Sequence, residues 1–289
     1  MTNTQRGMGL YIASFFVASL VDAPVKYLLV HGLPQPTVMF FRFLIAMIFL
    51  FALQARKGSW FSPSKNPKLN IIRGCILFCS GFVNFYALKH LPLATAASIN
   101  FAAPLITCAL AQIFLGEHVG IRRWLAVIVG FCGVLIVMRP GTTDFHPAML
   151  ASLATAFTIA VFQIVTRKVG FYDEPETGLL WVFGVCLVIT TLWLPTGWQM
   201  PSLVFWPFLV LVGAAGLGTH ILMSRSLQLA KASTVAPLIY TQIIWMIMFG
   251  IVLFGNWPDI ATLLGSSIVI TSGIYVWHRE RVKSQPAET

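Results

Sequence analysis

The feature that most restricts this chain is a succession of apolar runs, each about as long as the ~20 residues a helix needs to cross the hydrocarbon of a bilayer. They cover residues 8–30, 36–55, 70–88, 92–115, 122–138, 147–166, 177–195, 204–225, 232–254 and 258–277. Turn residues such as Pro34, Pro36, Pro63, Pro67, Pro92, Pro140, Gly141, Pro147, Pro195, Gly197, Pro201 and Pro258 mark their edges. Only 10% of the residues are charged and 57% are hydrophobic, whereas a soluble surface draws on roughly 25% charged residues. The pattern predicts an all-α membrane protein with ten transmembrane helices. The first run is too long for a signal-peptide core and holds Asp22 and Lys26, so it is expected to stay as a helix.

A net charge of +10 raises the question of nucleic acid, and the placement of the basic residues answers it. With the N-terminus in the cytoplasm, that side receives Arg6, the Arg56, Lys57, Lys65, Lys68, Arg73 group, Arg122, Arg123, Arg167, Lys168, Arg225, Lys231, Arg279, Arg281 and Lys283. The opposite loops hold Lys89 and Arg139, and Lys26 and Arg42 remain inside spans. This bias puts both termini in the cytoplasm and the chain in the cytoplasmic membrane as a multi-pass protein. No basic groove for nucleic acid is left.

Displacing the chain on itself by 139 residues sets Ala94-Thr95-Ala96-Ala97 on Ser233-Thr234-Val235-Ala236 and Leu115-Gly116 on Phe254-Gly255. One added residue aligns Gly133-Val134-Leu135 with Gly273-Ile274-Tyr275. The repeating unit is therefore five helices, residues 1–139 and 140–289. Five is odd, so the second unit enters the membrane from the other side. Two inverted five-helix repeats are the arrangement secondary transporters use to expose one central site alternately to either face.

These elements resemble the drug/metabolite transporter superfamily, specifically its EamA-type members, over nearly the whole chain. The residues that carry the resemblance are Lys26, the run from Pro36 into Phe40-Phe41-Arg42-Phe43, Ala87-Leu88, Ala94 to Pro104, Leu115-Gly116-Glu117 and Gly130 to Gly133. In the second copy they are Ala232 to Pro237, Phe254-Gly255 and Gly273. Asn256 stands where the family often has Glu, so any role of that acid carries over to Glu117 alone. The stretch from Asp22 through Lys26-Tyr27 to Phe43 is similar to the S-adenosylmethionine-transporter-like branch. The resemblance implies a central cavity lined mainly by the first, third, fourth, sixth, eighth and ninth spans, and a cargo such as an amino acid, a derivative or another metabolite, often exported.

Ionisable groups are costly in hydrocarbon and mark functional sites by default. Asp22 and Arg42 fall about 12 and 9 Å from the same end of the first two spans, at 1.5 Å per residue. Lys26 follows Asp22 by one helical turn and can snorkel outward. The expectation is an Asp22/Lys26/Arg42 cluster, which either engages a zwitterionic substrate or a coupling proton, or ties the first span to the second. His220 lies in the body of the eighth span, as a proton relay or a packing residue. Asn84, Asn100, Gln163, Tyr240 and Gln242 are polar groups within spans that need partners away from lipid. Trp245, on the same face as Gln242, stacks on a substrate or packs in the core. Substrate binding is assigned to Asp22, Lys26, Arg42, Asn100, Gln163, His220, Tyr240, Gln242 and Trp245.

The five cysteines lie in apolar runs without CxxC or Cys/His spacing, so neither a disulfide nor a metal is expected. Neither GxxxxGK[ST] nor HExxH occurs, and no cofactor is expected. A secondary transporter of a small polar metabolite is the leading class. An S-adenosylmethionine or nucleoside-metabolite exchanger is the alternative cargo, and a membrane-embedded enzyme, channel or sensor the alternative class. Expected partners are the small-molecule substrate, the lipid bilayer, and a coupling proton or counter-substrate. Oligomeric state is left open.

Overall fold

The computed structural model describes residues 2–56, 63–115, 120–169, 175–230 and 235–283. Expectations placed on Lys57, Gly116-Glu117 and Lys231 to Thr234 lie outside the described residues. The helices are α1 (Asn3–Val30), α2 (Gln35–Arg56), α3 (Pro67–His90), α4 (Leu93–Asn100), α5 (Ala103–Leu115), α6 (Ile121–Met138), α7 (Ala148–Val169), α8 (Pro175–Trp193), α9 (Trp206–Leu229), α10 (Gln242–Phe254) and α11 (Ile260–Lys283). Ten stretches among the described residues are long and apolar enough to cross a membrane. Leu192 and Val252 are 76% and 73% exposed on the outside of the bundle, as a surface wetted by lipid rather than water permits.

The start of the first helix differs from the sequence expectation, while the interruptions expected at Pro104 and Pro237 in the fourth and ninth spans are present, each for a local reason. The first helix begins at Asn3, not residue 8, because Thr2 and Gln5 form a reciprocal capping box. The fourth span is two helices, α4 and α5, with a break at Phe101-Ala102. A proline ring excludes the carbonyl four residues earlier, so Pro104 denies the Asn100 carbonyl a helical partner and α4 ends there. The ninth span opens as a 3-10 segment, Ala236–Thr241, with Pro237 in its first turn, before α10 continues it. Both repeats are thus interrupted in the same span.

The contacts obey the inverted repeat. Helix α1 packs on α9 and α3 on α7, which are the same pairing with the repeats exchanged. Helices α2/α8, α4/α10 and α6/α11 each join an element to its own counterpart. The α6/α11 seam is closed by glycine. A Cβ on Gly265 would lie 2.6 Å from the Gly133 carbonyl oxygen and 2.5 Å from Val137 Cγ2, and one on Gly133 would lie 2.8 Å from the Gly265 carbonyl oxygen. Small residues at such crossings let two backbones approach where no hydrophobic force is available. On the symmetry line, Phe101 and Tyr240, 139 residues apart, meet edge-on with centroids at 5.3 Å.

At one end of the bundle, Arg139 closes α6 in the left-handed region with φ of 46°. Its guanidinium donates to Asp144 at 2.8 Å and to Asp259, joining the first repeat to the connecting loop and to the start of α11. Asp259 also caps α11, accepting from the Thr262 N–H at 2.7 Å. Asp259→Ala is expected to lose about 0.5–2 kcal/mol through the cap. Asp259→Asn keeps the cap acceptor and loses only a half-exposed ion pair, at most about 1 kcal/mol. Thermal unfolding of the two variants side by side checks the order.

Candidate functional site

The half of the bundle away from the chain termini holds a polar cluster built from α1, α2, α3 and α4. Asp22, Arg42, Asn84 and Asn100 lie at similar distances from the helix ends on that side, because the four elements start or stop there. Asn84 of α3 donates its Nδ2 to Asp22 Oδ1 of α1 at 3.3 Å. Asn100, the last residue of α4, donates its Nδ2 to Asn84 Oδ1 at 3.2 Å. The Asn100 Oδ1 is buried with no partner. All three residues nevertheless remain only half-buried. Their side chains bond to one another in a line from α4 through α3 to α1.

Arg42 faces this cluster from α2. Its guanidinium carbon stands 5.2 Å from the ring centroids of both Phe43 and Phe85, a geometry that stabilises a cation by roughly 0.5–2 kcal/mol. Two glycines make the room: a Cβ on Gly81 of α3 would meet Arg42 Nη1 at 3.5 Å, and one on Gly216 of α9 would meet Nε at 3.8 Å. Asp22 and Arg42 attract each other across the site without a direct ion pair. A half-buried carboxylate with unused acceptor capacity and a guanidinium with unused donors suit a ligand that carries both charges.

Lys26 departs from the expected cluster. It is 6% exposed, and its ammonium donates to the carbonyl oxygens of Leu88, at 3.0 Å, and Leu91. The ring of Phe254 lies 5.4 Å away. The reason is the end of α3, whose last carbonyls have no helical partner and carry the negative end of the helix dipole. Lys26 fills that need instead of snorkelling outward, and it ties α1 and α3 to α10.

The other expected residues are distributed around the repeat interface. Gln163 of α7 accepts from Thr107 Oγ1 of α5 at 3.0 Å. His220 lies one turn beyond Gly216 on α9 and packs edge-on against Phe183 of α8 at 5.6 Å. Trp245 of α10 packs edge-on against Phe16 of α1 at 4.9 Å, with its indole N–H buried and unpaired. Gln242 begins α10 and is half-buried. Among the described residues Gln163, Gln242 and Trp245 make no hydrogen bond or ring contact with the Asp22 cluster, and His220 reaches it only through the charge of Arg42, so the cluster is smaller than the sequence list.

Tyr240 is buried with its hydroxyl unpaired and pressed against Gly273. A buried polar group without a partner costs about 1–3 kcal/mol. Tyr240→Phe is therefore expected to be neutral or stabilising in a thermal melt; a loss of stability would show that the hydroxyl has a partner in the membrane.

Arg73, which the charge count groups with the cytoplasmic loop cations, is buried on α3 with its guanidinium 5.1 Å from the Phe162 ring of α7. The apolar run 70–88 already includes this position. Asn84 was visible as a polar group in a span, but not as the link between Asp22 and Asn100.

An all-helical bundle of ten apolar spans in two opposed units, with a polar cluster inside, defines a multi-pass membrane transport protein. The profile of the EamA-like transporter family matches residues 5–139 and again 146–277, and the chain belongs to that family. An S-adenosylmethionine uptake transporter of Rickettsia bellii (strain RML369-C) is 29% identical over 95% of this chain and 94% of its own length. A riboflavin transporter of Brucella anthropi is 23% identical over 89% and 92% of the two chains. A solved crystal structure shares the fold with a TM-score of 0.65 at 17% identity, covering 98% of this chain and 99% of that one. Family and relatives are transporters of small metabolites, not enzymes.

Proposed function

We propose that the chain is a secondary carrier that moves a small zwitterionic metabolite across the cytoplasmic membrane by alternating access between repeats 1–139 and 140–289, with both termini in the cytoplasm. The substrate class is an amino acid or amino-acid derivative, and S-adenosylmethionine is the first candidate. The observation that carries this reading is the pair of opposed charges inside an apolar bundle: Asp22 held by Asn84, and Arg42 seated between Phe43 and Phe85. Asp22 suits the ammonium of such a ligand and Arg42 its carboxylate. Relatives named for uptake favour inward movement or exchange over the export expected from the wider superfamily.

The mechanism follows from the repeat. The equivalent α1/α9 and α3/α7 contacts can exchange tightness as the units rock, and the interrupted fourth and ninth spans supply bending points at membrane depth. The test is counterflow in proteoliposomes: unlabelled S-adenosylmethionine inside should accelerate entry of the labelled compound, saturably. Linear, unsaturable flux would instead indicate a channel. Reversing the sidedness of a protease-cut C-terminal tag checks the orientation.

A further inference from the structure

The hydrogen bonds from Asn100 through Asn84 to Asp22 have a direction. An ionised carboxylate only accepts, so Asn84 must turn its NH2 to Asp22. Its carbonyl then faces Asn100, which must offer NH2 in turn. This leaves Asn100 Oδ1 as a buried acceptor with no partner. We propose that Asp22, Asn84 and Asn100 form a polarised amide relay that presents the free acceptors of Asn100 and Asp22 to the N–H donors of a primary ammonium, and that reverses when Asp22 takes a proton. The proposal rests on the carrier reading for its ligand, and makes Asn84 a positioning residue and Asn100 a selective one.

Reversal follows from the same inventory. When Asp22 takes one proton from water, its O–H donates to Asn84 Oδ1, both amides turn over, and Asn100 offers an NH2 where it had offered an oxygen. A site that receives an ammonium thereby becomes one that repels it, so loading of the ligand and loading of the proton exclude each other. The charged and titratable groups on the elements packed against α1 are few. Arg42 faces Asp22 from α2, and Lys26, on α1 itself, is committed to Leu88 and Leu91. On α9 His220 packs on Phe183 and feels the charges of Arg42 and Arg73, while Arg225 is exposed. Helix α3 carries Arg73 against Phe162, with Lys68 at its start and Lys89 and His90 at its exposed end. The 3-10 segment holds Tyr240 against Phe101, and α10 carries no ionisable residue.

The test is infrared difference spectroscopy of the purified full chain with isotope-labelled asparagine, titrated from acid to alkaline pH. Asn100→Leu assigns the Asn100 amide band and Asp22→Asn the carboxyl band. The Asn100 band is expected to shift on the same titration curve as the Asp22 carboxyl, and to lose that shift in Asn84→Leu or, should that variant not fold, in Asn84→Ala. An Asn100 band that stays still while Asp22 titrates, or that still shifts without Asn84, overturns the relay. Methylammonium should perturb the Asn100 band and tetramethylammonium, which has no N–H, should not; equal responses to both overturn the assignment of ligand. No transport is needed for this readout. A chain that fails in counterflow but shows the coupled bands sinks the carrier reading alone.

Discussion

Asp22→Asn is expected to abolish saturable counterflow of S-adenosylmethionine while the protein still inserts and purifies as a folded species. The carboxylate stands in the interior of ten apolar helices, and among its described contacts only the Asn84 amide uses an oxygen. Its remaining acceptors are free for a cation. Removing one partner of a desolvated, hydrogen-bonded charge pair costs about 2–5 kcal/mol, which is at least ~30-fold in affinity. Asn84 can still bond to an asparagine at position 22, so the helices keep their tie. Asp22→Glu should recover part of the activity because the charge is restored, displaced by one methylene. Inactivity that comes with loss of the folded protein would show instead that Asp22 acts as a tie between helices.

The second large effect is structural. Gly265→Ala is expected to lower the thermal midpoint by several degrees, since its new methyl would enter the Gly133 carbonyl oxygen and Val137 Cγ2. Neither neighbour is the end of a flexible side chain. Relief requires α6 and α11 to separate, and overpacking of this kind typically costs about 1–3 kcal/mol. Val137→Ala in the same chain should recover little, because the backbone oxygen remains. Gly9, by contrast, has nothing within 4 Å of an added Cβ. Gly9→Ala should therefore leave the midpoint unchanged and serves as the control; equal effects at both positions would contradict the close crossing.

The spans and the repeat were legible in the sequence because both are properties of runs. An apolar stretch of membrane length has one economical fate, and a five-helix period survives divergence in positions such as Leu115-Gly116 and Phe254-Gly255. The interruption of the fourth span was half legible: Pro104 announced it, but that it falls at Asn100 follows from the ring's reach of four residues. The site was less readable because its geometry is set by partners far apart in the chain. Lys26 meets carbonyls more than sixty residues away, and nothing in its own flanks points to them. Arg73 shows a different loss, since counting it with the loop charges served the orientation argument and concealed a buried cation. Asp22 and Arg42 could be paired by depth alone, whereas Asn84 needed the third helix in place.

The edge-on meeting of Phe101 and Tyr240 also carries a historical meaning. Residues 139 apart that touch on the symmetry line descend, in a duplicated chain, from one ancestral residue facing its own copy. Before fusion, two identical five-helix chains inserted in opposite senses would have met ring to ring at this point. The present pair differs by a single hydroxyl, the one pressed against Gly273. The counterpart halves have since parted company elsewhere: at the same displacement of 139, Asp22 falls on Val161. Symmetry was kept where the two halves meet ring to ring and lost where one of them carries a charge.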